Sequence, residues 1–290
     1  MSAFNGMSAA QEHCEEAIAS LYDKLARFAW WRRRLSRSRP GEGLAMRKAL
    51  RPGSGELAGV EDLNSWLWER AAPSADPVVL DVGAGFGDTL LSWAAQNAGR
   101  YLGLGLSRYQ VERATDQAKT LGLSESCRFL QCAFDRSPAG PFDLIVSIES
   151  LFHAADVRRT IARLAASLAP GGSIVMVEDM ARDDAVVTSG VGRELCDRWM
   201  TPRLHTRSDY LEGLRDGGLE VEYDIDLSDL LTLSTQEHRV RRHRRLRRLR
   251  AILPVGRSVV GAFLGGLAME ELHHRRDLCY RVLGARRPRS

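Results

Sequence analysis

The sequence predicts an α/β fold: a doubly wound, mostly parallel, seven-stranded sheet with an N-terminal helical cap and two lid insertions. Three observations lead there. Short apolar runs rich in Val, Ile and Leu recur from residue 78 to residue 285. Amphipathic stretches of helical length lie between them, so the strands are joined by crossovers and helices cover both faces of the sheet. The stretch "PVVLDVGAGFGDTLLSWA", 77–94, sets Gly83, Gly85 and Gly87 between a strand and a helix.

The elements follow in chain order. Residues 11–35 carry Ala17, Ile18, Leu21, Leu25, Phe28 and Ala29 at helical spacing, with Tyr22, Trp30 and Trp31 among them. The polar run "SRSRPGEGLAMRKALRPGSGE" breaks that helix, and a second helix is expected at 59–70. "AAPSADP" then marks a boundary near Ala72, dividing a cap or lid, 1–71, from the main domain, 72–290. Strands are expected at 78–82, 101–106, 128–132, 142–148, 173–178, 219–225 and 278–285. Ser107 and Asp156 stand where N-caps belong, each ahead of an apolar-periodic helix. "PGG" at 170–172 is expected to end the second of these helices and to turn into the strand "SIVMVED". Residues 180–207 and 227–277 exceed what ordinary connections need, and are expected to be lid insertions over the active edge.

Composition bounds the rest. The chain has 290 residues, 44% hydrophobic and 27% charged, enough for one core with a small appendage. No apolar run approaches the roughly 20 residues that span a bilayer. The N-terminus reads as no secretory peptide, and five scattered cysteines suit a reducing cytoplasm. No Cys/His cluster has metal-ligand spacing, so no metal is expected. The charge is uneven: 15 Arg face three acids from Arg239 to Ser290. "RVRRHRRLRRLR", 239–250, holds eight of those Arg. A solvated amphipathic helix is the plainer reading of it; an anionic partner is the sharper one. No second basic patch accompanies the run, so nucleic acid is not expected.

Ligands of open parallel sheets bind beyond the strands' carboxyl ends, where strand order reverses. Three glycines there let a ligand meet bare backbone, and a helix N-terminus offers N–H groups to an anion. The spacing is G-x-G-x-G; a dinucleotide fingerprint would need a glycine where Asp88 stands.

"LDVGAGFG" resembles the first motif of the class I S-adenosylmethionine-dependent methyltransferases. "GLGLSRYQVERA" (103–114), "FDLIVSIESLFHAAD" (142–156) and "LAPGGSIVMVEDM" (168–180) resemble further segments of its small-molecule branch, the sterol, tocopherol and sugar methyltransferases. The resemblance covers most of 72–226 and implies a Rossmann-like fold, S-adenosyl-L-methionine as cofactor and a small-molecule acceptor. It implies that Gly83, Gly85 and Gly87 hold the cofactor's amino-acid end, with Asp81 near its ammonium. Gly105 and Leu106 stand where the family places a ribose-binding acid, and Ser107 and Gln110 take over. Cys132 stands where an adenine-binding acid is common, which leaves the backbone at Ala133 and the ring of Phe134; Phe134 serves equally as core. His153 matches the base of similar sugar O-methyltransferases. Asp179 matches the acid that orients that imidazole or binds a substrate hydroxyl. Glu149 is expected to contact the cofactor or bear on its sulfonium, and Ser150 to face the substrate. Glu178 is expected to end its strand in solvent. Tyr22, Trp30, Trp199 and His205 are candidates to wall the substrate pocket, His205 also as a second base; packing of the cap is the alternative for each.

The resulting expectation is methylation of a natural-product hydroxyl with His153 as base. Carbon methylation of a terpenoid or isoprenoid is the alternative, and a cofactor-binding protein without turnover a third. Oligomeric state is left open, a homodimer included.

Overall fold

The computed structural model describes residues 9–36, 47–252 and 257–289. In chain order the elements are α1 (Ala9–Ser36), α2 (Leu63–Ala71), β1 (Val78–Val82), α3 (Asp88–Ala94), β2 (Arg100–Gly105), α4 (Arg108–Thr120), β3 (Cys127–Gln131), β4 (Phe142–Ile148), α5 (Val157–Ala166), β5 (Leu168–Ala181), α6 (Asp184–Val187), α7 (Gly190–Trp199), α8 (Arg207–Asp216), β6 (Glu220–Asp226), α9 (Gln236–Ile252), α10 (Arg257–His274) and β7 (Leu278–Arg286). The strands form one seven-stranded sheet in the order β3-β2-β1-β4-β5-β7-β6. β1 to β5 pair in parallel, and β7 runs antiparallel to both β5 and β6. Strand order reverses between β1 and β4, so their carboxyl ends open the crevice where such sheets bind ligands.

Val, Ile and Leu populate the central strands because both faces are covered. One face packs Val79, Leu144, Val146 and Val177 against Trp66 and Leu67 of α2 and Leu90 and Trp93 of α3. The other packs Leu80, Ile145 and Met176 against Ile161 and Leu164 of α5 and Tyr210 and Leu214 of α8. Side chains on one strand alternate between these cores, as period two requires. α2 therefore contributes to the cover of the sheet itself, while α1 packs Leu21 and Leu25 against Ala262 of α10.

Both expected caps form: the Ser107 side chain accepts from Gln110 N and that of Asp156 from Arg159 N. β5 is longer than the sequence predicts. α5 ends at Ala166, before "PGG", and the strand starts at Leu168, which pairs with Phe142 ahead of a register irregularity. The pairing with β7 carries it on to Ala181. A tertiary partner extends this strand, which no local pattern announces.

Candidate active site

The glycine loop starts from Asp81, on β1 and 3% exposed. Its three glycines perform three different tasks. Gly83 has φ +110, and a Cβ there would lie 2.2 Å from that of Ser150, so it lets the β1 and β4 loops touch. Gly87 has φ +80 and caps α3; a Cβ would strike the Phe129 ring at 2.6 Å, so it seats that helix on the sheet. Gly85 has φ +54 and nothing nearer than 3.9 Å. Of the three, Gly85 has open space where a Cβ would lie.

The loop forms one wall of a cavity of about 450 Å³, in the size range of small-molecule sites. Asp81, Gly83, Gly85, Ser107, Gln110, Phe134, Glu149, Ser150, His153, Asp179, Tyr22 and Trp199 all line it. Four of the sequence candidates are not among its lining. Gly87 is packed against Phe129 and Ala133 is buried, neither of them lining the cavity. The Trp30 ring lies under the Arg113 guanidinium at 6.0 Å, on the α4 side of α1. The His205 imidazole is bonded through Nε2 to Ala154 O at 2.8 Å and packed edge-on to Tyr210. It is thus a packing residue beneath the cavity, where neither an acceptor nor a second base would sit. The side chain of Trp31 falls outside the described residues.

β4 and its neighbour β5 end side by side, and their side chains build the chemical half of the cavity. Glu178 does not end its strand in solvent: it is fully buried, its carboxylate turned onto Ser147 and the turn that follows β4. Its Oε1 accepts from Ser147 Oγ at 2.6 Å, Ser150 N at 3.1 Å and Leu151 N at 3.0 Å. Burial pushes its carboxyl up to about 7 despite those donors. Glu178 thereby pins the turn 151–153 that presents His153. The Ser150 hydroxyl bonds Val82 O and Ser147 Oγ, so it ties β1 to β4 before any substrate arrives.

His153 Nε2 lies 2.8 Å from the Tyr22 hydroxyl, and the two rings meet edge to face. Burial pushes Tyr22 well above its usual range, so the phenol keeps its proton and donates to Nε2. Burial pushes His153 down to about 4. The ring is neutral at neutral pH, and its Nδ1 has no partner among the described residues.

Asp179 does not orient His153. Its Oδ1 meets His273 Nε2 at 2.7 Å and its Oδ2 meets Lys48 Nζ. Burial would raise this carboxyl, but the Lys48 ammonium and the His273 hydrogen bond outweigh it and hold it below the usual carboxylate range. Lys48 Nζ also reaches Glu149 Oε2 at 3.3 Å, and its backbone N–H donates to Glu149 Oε1 at 2.9 Å. Tyr280 O–H donates to the same oxygen at 2.8 Å. Glu149 sits at φ +52, holding its side chain in this bracket. Lys48, His273 and Tyr280 escaped the sequence reading, since each meets its partner across 94 to 131 residues. One signal existed for Lys48: the chain has three Lys in all, and this one sits in a segment whose other cations are Arg.

At the N-terminus of α4, Ser107 Oγ donates to Asp23 Oδ1 at 2.5 Å, and Tyr109 N to the same oxygen at 3.2 Å. An acid does stand at this corner, delivered by α1 rather than by the end of β2.

Residues 79–172 match a family described as a methyltransferase domain. A sarcosine/dimethylglycine N-methyltransferase of Halorhodospira halochloris is 31% identical over 147 residues, which is 50% of this chain and 52% of that protein. Other curated relatives are named as sterol C- and tocopherol O-methyltransferases. The chain spans about half the length of the curated relatives it matches. A structure of geranyl diphosphate methyltransferase with its diphosphate and sinefungin superimposes with TM-score 0.70 at 17% identity, over 94% of this chain and 99% of that one. The [4+2]-cyclase SpnF superimposes with TM-score 0.68 at 22% identity, over 94% and 96%. The architecture is therefore the Rossmann-like class I methyltransferase fold, a fold that also carries a cyclase.

Proposed function

Because the chain carries a methyltransferase domain of the class I, S-adenosylmethionine-dependent kind, we propose that it transfers a methyl group from S-adenosylmethionine to a small molecule, in the finer reading a natural-product hydroxyl. One observation carries the cofactor half: Asp81, a buried carboxylate pushed up to about 7 by burial, faces the cavity beside the open backbone of Gly85. Such a group calls for a cation, and the ammonium of an amino-acid tail supplies one. Ser107, Gln110 and the Phe134 ring, which line the same cavity, support this reading for the rest of the cofactor.

The chemistry supplied by S-adenosylmethionine is an electrophilic methyl group. The chain's own residues position the acceptor, exclude water and take the proton. Tyr22 and Trp199, ring centroids 6.2 Å apart, close the cavity from the α1 and α7 sides. In the hydroxyl reading the proton passes to the Tyr22 oxygen as Tyr22 passes its own to His153 Nε2. A base near 4 suffices when the proton leaves late, because a hydroxyl oxygen already bearing the methyl group is strongly acidic. Lys48 fixes Asp179 and Glu149 in place, and Glu149 sets a negative charge at the cavity edge.

Carbon methylation of a terpenoid is the second reading, favoured by the aromatic wall of Tyr22, Phe134, Phe152 and Trp199. Incubation with methyl-labelled cofactor and a metabolite extract, followed by mass spectrometry and NMR of the labelled product, tests both. Label on oxygen supports the first, label on carbon the second. Cofactor binding by calorimetry without labelled product from any extract overturns both and leaves a cofactor-binding protein.

A further inference from the structure

We infer that the outer face of α9, with the exposed part of α1 beside it, is a docking surface for anionic lipid headgroups. The inference stands on charge placement and is independent of the reaction assigned to the cavity.

Helical spacing sorts α9 into two faces. The inner face docks on α10: Arg239, 7% exposed, pairs with Glu271 at 2.9 Å, and Arg242 covers the Phe263 ring at 5.8 Å. The outer face presents Arg241, Arg244, Arg245 and Arg248, flanked by Arg247 and Val240, all exposed. Arg241 has Glu237 at 3.2 Å. Among the described residues no acid pairs with Arg244, Arg245, Arg247 or Arg248. A solvated face of a stable helix mixes signs, since like charges at i,i+4 destabilise it by a few tenths of a kcal/mol per pair. This helix carries a single Glu against eight Arg. That arrangement gains where anions lie opposite it.

A second feature points to a bilayer rather than to nucleic acid. Phe28 of α1 is 37% exposed and packs edge-on against Phe263, ring centroids 5.7 Å apart. Phe263 is the ring that Arg242 covers. Val240 is 44% exposed on the same helix as the Arg face. Apolar groups beside an Arg face gain by entering the boundary between headgroups and acyl chains. Along a nucleic-acid backbone they would gain nothing. The surface also lies over the cavity: α9 packs on α10, whose Gly266, Met269 and His273 line it. Docking would bring the roof of the cavity to the membrane surface.

The test is co-sedimentation of the full chain with vesicles of phosphatidylcholine alone and with phosphatidylglycerol added, at low and high salt. Each Arg near an anionic surface strengthens partition roughly fivefold at low salt. The variant R244Q/R245Q/R247Q/R248Q should lose at least two orders of magnitude on the anionic vesicles. Circular dichroism checks its fold, and the single changes Arg244→Gln and Arg248→Gln should each cost about fivefold. Phe28→Ser should lower partition at both salt concentrations. No partition, equal partition onto both vesicle types, Gln variants that bind like the wild type, or displacement from vesicles by duplex DNA would each overturn the inference.

Discussion

Replacing Asp81 by Asn should do two opposite things, and the pH dependence of each can be worked out. Burial raises this carboxyl from about 3.9 in an unfolded chain to about 7, with Arg47 offsetting only part of the cost. A raised acid favours the fold where it is protonated in both states, below about pH 4. That contribution is lost as pH climbs through about 7, and the cost of the buried charge is then of order 4 kcal/mol. Asn carries no charge, so the unliganded variant should melt several degrees above the wild type at pH 8. The advantage should shrink as pH falls and vanish near 4. Cofactor binding should respond in the other direction. An ammonium bound beside Asp81 needs the ionised form, so wild-type affinity for S-adenosylhomocysteine should rise about tenfold between pH 6 and 8. The Asn variant should bind at least 30-fold more weakly, because truncating one partner of a buried charge pair costs roughly 2–5 kcal/mol. Its affinity should be flat across the same range. Thermal melts with and without S-adenosylhomocysteine, and titration calorimetry at each pH, measure both effects. A variant no more stable at pH 8, or one that binds within threefold of the wild type, refutes the assignment of Asp81 to the cofactor's ammonium.

Gly87→Ala should cost about 2–5 kcal/mol in denaturant melts, from the left-handed backbone and overpacking against Phe129. Gly85→Ala should cost only about 1 kcal/mol of stability, yet weaken cofactor binding, because its Cβ would point into the open cradle. Lys48→Met leaves Asp179 and Glu149 facing each other; a loss of about 2–3 kcal/mol is expected, the low end for a buried pair because Lys48 and Glu149 are each 18% exposed. His153, pushed down to about 4, is neutral above that pH. With an acceptor in hand, single-turnover transfer should stay flat to about pH 5 and fall only toward 4. A fall near 6.5 would exclude His153 as the proton's destination. Tyr22→Phe should slow the same step while leaving S-adenosylhomocysteine binding unchanged.

Much of the architecture was legible in the chain. Apolar runs of strand length, separated by capped amphipathic helices, leave few arrangements besides a covered parallel sheet, and Ser107 and Asp156 cap as their positions suggest. The cradle was legible as well, because glycines are needed at fixed offsets from the end of a strand. What each glycine does was not legible. Gly83 and Gly87 answer to Ser150 and Phe129, neighbours 67 and 42 positions away in the chain, while Gly85 has open space where its Cβ would lie.

Local sequence thus determined the fold class, the ligand-binding edge and a dozen of the residues that line the cavity, since these depend on period, cap and turn chemistry within a few residues. Tertiary structure decided the pairings. It turned Asp179 from His153 toward Lys48 and His273, buried Glu178 as the clamp behind the His153 turn, packed His205 on a carbonyl and brought Asp23 to the corner of α4. The physical reason is the same in each case. A buried carboxylate or imidazole takes whichever partner the packed elements bring within 3 Å, and that partner has no signature along the chain.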